Sequence, residues 1–198
     1  MIARLSKRMA SFFVRNEVIK SEDEEVYEYG LQLLLSTVFN GIIALVLAVI
    51  SGTVWQCVCY LAFFILIRKS AGGFHAKTHL GCCCVLVVVL SLFILFIKFV
   101  PANIYAAITV FAVAFSVIVI LVCAPLEHEN KPISDKDKKR LRKNSIIYAF
   151  LILFIISLFF VANMLEIMVC LALGIFTASS SMLVAVIEKK IKSIHLGT

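Results

Sequence analysis

The chain has 198 residues, of which 62% are hydrophobic and 16% charged, with a formal net charge of +7 and a mean hydropathy of +1.05. A soluble domain carries about 25% charged residues, and a water-soluble fold of this length has no core large enough to hide so much apolar surface. An ordinary soluble domain is therefore excluded, and the apolar residues need a second solvent, the lipid bilayer.

In chain order, Ile2, Leu5, Met9, Phe12 and Phe13 come first, interleaved with Arg4, Lys7, Arg8, Ser11 and Arg15. Apolar residues at helical spacing beside a basic face predict an amphipathic helix lying in the membrane interface. It serves as an anchor, or as a place to receive an amphipathic partner peptide. No long apolar stretch ending in a small-residue site is present here, so a cleavable signal peptide is not expected. Glu22, Asp23, Glu24, Glu25 and Glu28 follow, an acidic cluster suited to a helix start.

Uncharged runs then cover residues 30–67, 79–97, 99–126, 144–165 and 167–187. A transmembrane helix needs roughly 20 apolar residues. The first run holds two spans, with Ser51, Gly52 and Thr53 as the turn between them. The spacing predicts six spans at about residues 31–50, 54–70, 80–99, 103–124, 145–163 and 166–187. The second has a short apolar part, so Arg68 and Lys69 must snorkel or the bilayer must thin. Between spans four and five lies a polar loop, 125–143, with Pro125 and Pro132 as breakers and a basic second half. It suits a topology determinant touching anionic lipid, or a substrate-docking segment.

Charge gives the orientation. Under six spans, every one of the 19 Lys and Arg residues except Lys98 falls on one side, which the positive-inside rule assigns to the cytoplasm. Both termini then face the cytoplasm. Four spans with two re-entrant segments is the competing topology. The same asymmetry accounts for most of the net charge, and no nucleic-acid motif accompanies it. The expected architecture is all-α and polytopic, a single membrane domain over 1–198. It comprises an interfacial segment 1–28, a polar connection 68–84 that opens the third span, and the basic loop 125–143.

Chemistry concentrates in the 68–84 connection. It reads R-K-S-A-G-G-F-H-A-K-T-H-L-G-C-C-C from Arg68 to Cys84. Gly72 and Gly73 break the helix and allow close backbone approach. His75 and His79 then fall near Cys82, Cys83 and Cys84 in one short cytosolic stretch. A histidine can take the proton from a thiol, and the thiolate is the nucleophile. A helix N-terminus and Lys77 favour that negative charge. His79 with Cys82 or Cys83 is spaced i, i+3 or i, i+4, so either pair shares a helix face. His75 and Cys82 lie about 10.5 Å apart along a straight helix, and meet only if the chain folds back near residues 73–80. Spacing alone slightly favours His79. The competing reading has interfacial histidines and packing cysteines.

Three adjacent cysteines point about 100° apart, so they do not chelate one metal together. Their spacing fits no common zinc pattern. Cys57, Cys59, Cys123 and Cys170 sit inside spans as small apolar residues. No metal or other cofactor is expected.

The stretch G-G-F-H-A-K-T-H-L-G-C resembles the core motif of the AgrB family, membrane peptidases of bacterial peptide quorum sensing. There a histidine precedes a catalytic cysteine by seven residues after a glycine-containing turn; His75 and Cys82 match that register. The segment A-P-L-E-H-E-N-K-P, residues 124–132, resembles the family's loop between its two halves, and length and hydropathy agree across the chain. His79, Cys83 and Cys84 depart from the pattern as competing partners.

The resemblance implies a bacterial cell-membrane cysteine endopeptidase acting on an AgrD-like propeptide. His75 acts as base and Cys82 as nucleophile. The product is released from an acyl-enzyme thioester as a thiolactone, or as a lactone in some members. A homodimer is implied as well. In that frame Gly72, Gly73 and Gly81 shape the turn and the oxyanion site, and Arg68, Lys77, Lys131, Lys138, Lys139 and Arg140 are docking candidates for an acidic tail. No acidic or amide neighbour suggests a third catalytic member. The rival readings are a small peptide or anion transporter and a non-catalytic membrane scaffold. The first would want mid-membrane ionisable residues and repeat symmetry, and the second would have no use for a reactive thiol.

Overall fold

The computed structural model describes residues 2–71, 78–124 and 135–196, and the regular structure among them is entirely helical. The helices are α1 (Ile2–Arg15), α2 (Glu24–Ser51), α3 (Val54–Ala71), α4 (His79–Phe99), α5 (Tyr105–Cys123), α6 (Asp135–Val161) and α7 (Leu165–Leu196). Five stretches, Ser21–Ser51, Leu80–Phe99, Ala102–Cys123, Lys139–Val161 and Leu165–Ile191, are long and apolar enough to cross a membrane. The chain is an all-α polytopic membrane protein. The remaining bundle helix, α3, has 18 residues and a length of about 27 Å at 1.5 Å per residue.

Local chemistry sets the helix ends. Gly52 caps α2 in the left-handed region at φ +70, and its N–H reaches back to the carbonyls of Ala48 and Val49. Only glycine adopts that conformation without cost. Thr78 caps α4: its backbone is extended, and its Oγ1 accepts from the Gly81 N–H at 3.0 Å. Such a cap contributes about 1 kcal/mol. The second half of the expected 125–143 loop is helical. Asp135 opens α6, and the basic residues to Lys143 form its first turns, since lysine and arginine are good helix formers.

Helix α7 is the hub. Its residues Met168, Val169, Cys170, Leu171, Ala172, Ile175, Ala178 and Met182 are all buried. On one side it joins α3, α5 and α6 in a core containing Ile67, Ile120, Ile152 and Ile175. On the other it joins α2, α3 and α4 around Ala48, Cys57, Tyr60, Leu90 and Phe93. Small residues let the backbones approach, as expected where lipid offers no hydrophobic drive for association. A Cβ at Gly174 would collide with the Tyr60 carbonyl. Nearby, the Tyr60 hydroxyl donates to Thr177 Oγ1 at 2.9 Å, and the Tyr60 ring stacks on Phe93 at 4.2 Å.

The amphipathic N-terminal helix is present, and its small residues define its seat. Ser6 and Ala10 are fully buried against α2, while Leu5 and Phe12 stay exposed. Ser11 Oγ donates to Glu24 Oε1 at 2.6 Å, tying α1 to the acidic start of α2.

Candidate functional site

The site forms where the start of α4 meets the middle of α2 and the end of α3. Thr78 is extended at φ −129 and ψ 150, so α4 begins at His79. His79, Cys82 and Cys83 therefore lie on one continuous helix, and the i, i+3 and i, i+4 spacings hold on its backbone. The extended Thr78 ends the helix on its N-terminal side. His75 itself, with Gly72, Gly73, Lys77 and Lys131, lies outside the described residues, as do the side chains of His79 and Lys138.

Cys82 is half-buried and points at α2. The side-chain amide of Asn40 donates from Nδ2 to Cys82 Sγ at 3.8 Å. The Arg68 guanidinium, half-buried at the end of α3, stands within electrostatic reach of the same sulfur and over the Phe64 ring at 5.5 Å. Neighbouring helix residues diverge by about 100°, so this aim turns Cys83 and Cys84 elsewhere; Cys84 is exposed.

The donors at the helix start are engaged. The Gly81 N–H donates to Thr78 Oγ1, and the Cys82 N–H donates to the Thr78 carbonyl at 3.1 Å. An oxyanion site built on the Gly81 and Cys82 amides would have to draw on bonds already made to the cap.

The depth of the site follows from helix pairing. Helix α2 runs through the apolar stretch 31–50, and Asn40 stands at its middle on the inward stripe with Ser36, Ala44 and Ala48. At 1.5 Å per residue, Asn40 lies about 14 Å along α2 from Leu31. Cys82, although only in the first turn of α4, is thus level with the middle of the α2 apolar run.

Arg68 stands over Phe64 and within electrostatic reach of Cys82, while Lys69 lines a cleft of about 370 Å³ with Leu66, Arg140, Leu141, Asn144 and Tyr148. Lys139 is exposed beside it. Of the six docking cations expected from sequence, Arg140 lies in that cleft and Arg68 lies within electrostatic reach of Cys82. Among the described residues no group of His, Cys, Asp or Glu side chains is arranged to hold a metal ion.

Sequence reasoning missed Asn40 and Lys69. Asn40 carried a signal, being a carboxamide at the centre of an otherwise apolar span, where polar groups are costly and mark function. Its partner, 42 residues away, could not be read from local spacing.

The chain is similar to known proteins. The sequence model of one family, AgrB: Accessory gene regulator B, matches residues 6–186. An AgrB-like protein of Clostridium perfringens (strain 13 / Type A) is 29% identical over 164 residues, covering 78% of this chain and 75% of its own length. An AgrB-like protein of Listeria innocua is 27% identical over 147 residues, covering 72% and 71%. No solved structure matches.

Proposed function

The chain belongs to the AgrB family, which acts in processing quorum-sensing autoinducers, and on that premise we propose that it is a cysteine endopeptidase that trims and cyclises an AgrD-like propeptide. Cys82 is the nucleophile and His75 its base. The observation that supports this reading is the setting of Cys82, its sulfur taking the Asn40 amide as a donor at 3.8 Å with the Arg68 charge within electrostatic reach.

The chemistry balances without a cofactor. His75 takes the Sγ proton. The thiolate forms a bond to the carbonyl carbon at the junction of signal segment and acidic tail. The tetrahedral intermediate collapses, the C–N bond breaks, and the imidazolium returns its proton to the departing amine. The signal segment remains on Cys82 as a thioester. A thiol within that segment, deprotonated in turn by His75, attacks the thioester carbonyl; Cys82 leaves as thiolate and is reprotonated. Exchange of one thioester for another is nearly balanced, so water must be kept away. The position of Cys82 level with the apolar middle of α2 suits that need. Arg68 favours the thiolate at both ends of the cycle. Lys69 and Arg140, which line the cleft between α3 and α6, and the exposed Lys139 suit an acidic tail, whose approach they would speed.

The test is cleavage of a co-expressed precursor by wild type and by Cys82→Ala, Cys83→Ala, His75→Ala and His79→Ala, with membrane levels matched. Loss of cleavage confined to Cys82→Ala and His75→Ala is the expected result. An essential His79 or Cys83 would reassign the pair. Cleavage by all four variants at the wild-type rate would end the cysteine-peptidase reading.

A further inference from the structure

We infer that Asn40 is a third member of the reaction centre, the hydrogen-bond donor for the negative charge that forms first on Cys82 Sγ and then on the oxygen of the attacked carbonyl. The inference rests on the peptidase reading and extends it from a dyad to a triad.

Three observations converge. First, Nδ2 of Asn40 aims at the sulfur at 3.8 Å. A neutral thiol is a weak acceptor, so this contact adds little to the resting protein; a thiolate converts it into a charge-assisted bond of roughly twice the strength. When Sγ bonds to a carbonyl carbon, the carbonyl oxygen develops its charge one atom away from Sγ, within reach of a donor already at the nucleophile. Second, the backbone amides that would otherwise fill this role, those of Gly81 and Cys82, are bonded to Thr78. Third, Asn40 is half-buried on the α2 stripe whose other inward members are Ser36, Ala44 and Ala48. A carboxamide in such a stripe is costly unless it has a task, and packing alone would be served by an apolar residue of its size.

The last point separates catalysis from structure. If Asn40 were a structural tie, Asn40→Leu would lower thermal stability. If it serves the reacting atoms, Asn40→Leu keeps or raises stability, because it replaces a half-buried polar group, whose partner is a thiol that accepts only weakly, by an apolar one of similar size, and activity falls. Removal of one oxyanion donor costs about 10²- to 10³-fold in rate.

The experiment uses the full chain in lipid nanodiscs with a synthetic precursor peptide. Wild type, Asn40→Leu, Asn40→Ala and Cys82→Ala are compared in three readouts: melting temperature, cleavage rate, and alkylation of Cys82 by iodoacetamide at neutral pH, read by peptide mapping. The expected result is an Asn40→Leu variant that melts at or above the wild-type temperature, cleaves at least a hundredfold slower and alkylates severalfold slower at Cys82. Cleavage within threefold of wild type overturns the inference, as does loss of cleavage that tracks a lowered melting temperature in both Asn40 variants. Cleavage by Cys82→Ala at the wild-type rate would instead sink the peptidase reading beneath it, while unchanged Cys82 alkylation in Asn40→Leu would sink the Asn40 contact on its own.

Discussion

At the residue scale, the proposed mechanism turns on which of three adjacent thiols reacts, and side chains from three helices bear on it. The stretch Cys82–Cys84 offers three thiols of equal intrinsic chemistry, and the difference comes from what each meets. Cys82 meets Asn40 and has Arg68 within electrostatic reach; Cys84 is exposed on another face of α4. The Arg68 contribution can be isolated. Contact with a charged partner is worth about 1.5–3 kcal/mol, so Arg68→Gln is expected to slow both iodoacetamide labelling of Cys82 at neutral pH and precursor cleavage by about tenfold or more. Arg68→Lys should recover labelling, since it restores the charge, and should recover cleavage less well, since a lysine lacks the planar fork. Equal labelling of wild type and Arg68→Gln would show that the guanidinium has no part in activating the thiol.

At the element scale, the pairing of α3 with α7 holds the site in register, and two kinds of contact there differ in weight. The Tyr60–Thr177 hydrogen bond lies between transmembrane helices, where such bonds average about 0.6 kcal/mol. The Gly174–Tyr60 approach is steric: a Cβ meets the Tyr60 carbonyl and the Phe64 amide, both backbone atoms that cannot swing aside. Forcing atoms into a packed contact costs about 1–3 kcal/mol or more. Gly174→Ala is therefore expected to lower the melting temperature further than Tyr60→Phe does, and to reduce cleavage by shifting α3 and with it Arg68. A melting temperature for Gly174→Ala at or above that of Tyr60→Phe would mean that the two helices part easily.

The element scale also shows what the sequence could tell. Apolar runs bounded by charge marked the helices of the bundle because a span must bury its whole length in lipid. The start of α6 at Asp135 was hidden, because a run of lysine and arginine reads as a loop by hydropathy and as a helix by propensity. The histidine and cysteine stretch stood out in the sequence, where spacing left Cys82 and Cys83 open and the family register pointed to Cys82. Asn40 was not legible, since the pairing of α2 with α4 brings together residues with no shared local pattern.

At the scale of the whole molecule, the compartment of the proposed active site depends on whether the short helix α3 crosses the membrane. Were α3 to stay on one side, α4 would run the other way and Cys82 would face the exterior, away from a precursor made inside the cell. Three contacts argue that it crosses. At its start, Gln56 donates to Glu166 at the beginning of α7, at 2.8 Å. At its far end, Lys69 shares a cleft with Arg140 near the beginning of α6. Between them, Cys57 and Ile67 are buried in the two cores on either side of α7. Helix α3 thus runs from the end of the bundle that holds Glu166 to the end that holds the basic cluster. Its length of about 27 Å falls only a little short of a hydrocarbon core of about 30 Å, a mismatch that thinning and the snorkelling of Arg68 and Lys69 absorb. Trp55, 65% exposed at its start, suits the aromatic belt of the interface. The expectation is specific to side. In a cysteine-free background, Val54→Cys and Lys98→Cys should both react with a membrane-impermeant maleimide applied to intact cells. Lys20→Cys and Lys189→Cys should react only after permeabilisation. A helix α3 that failed to cross would place positions 54 and 98 on opposite sides, so labelling of one without the other would reverse α4 and put the thiol outside the cell.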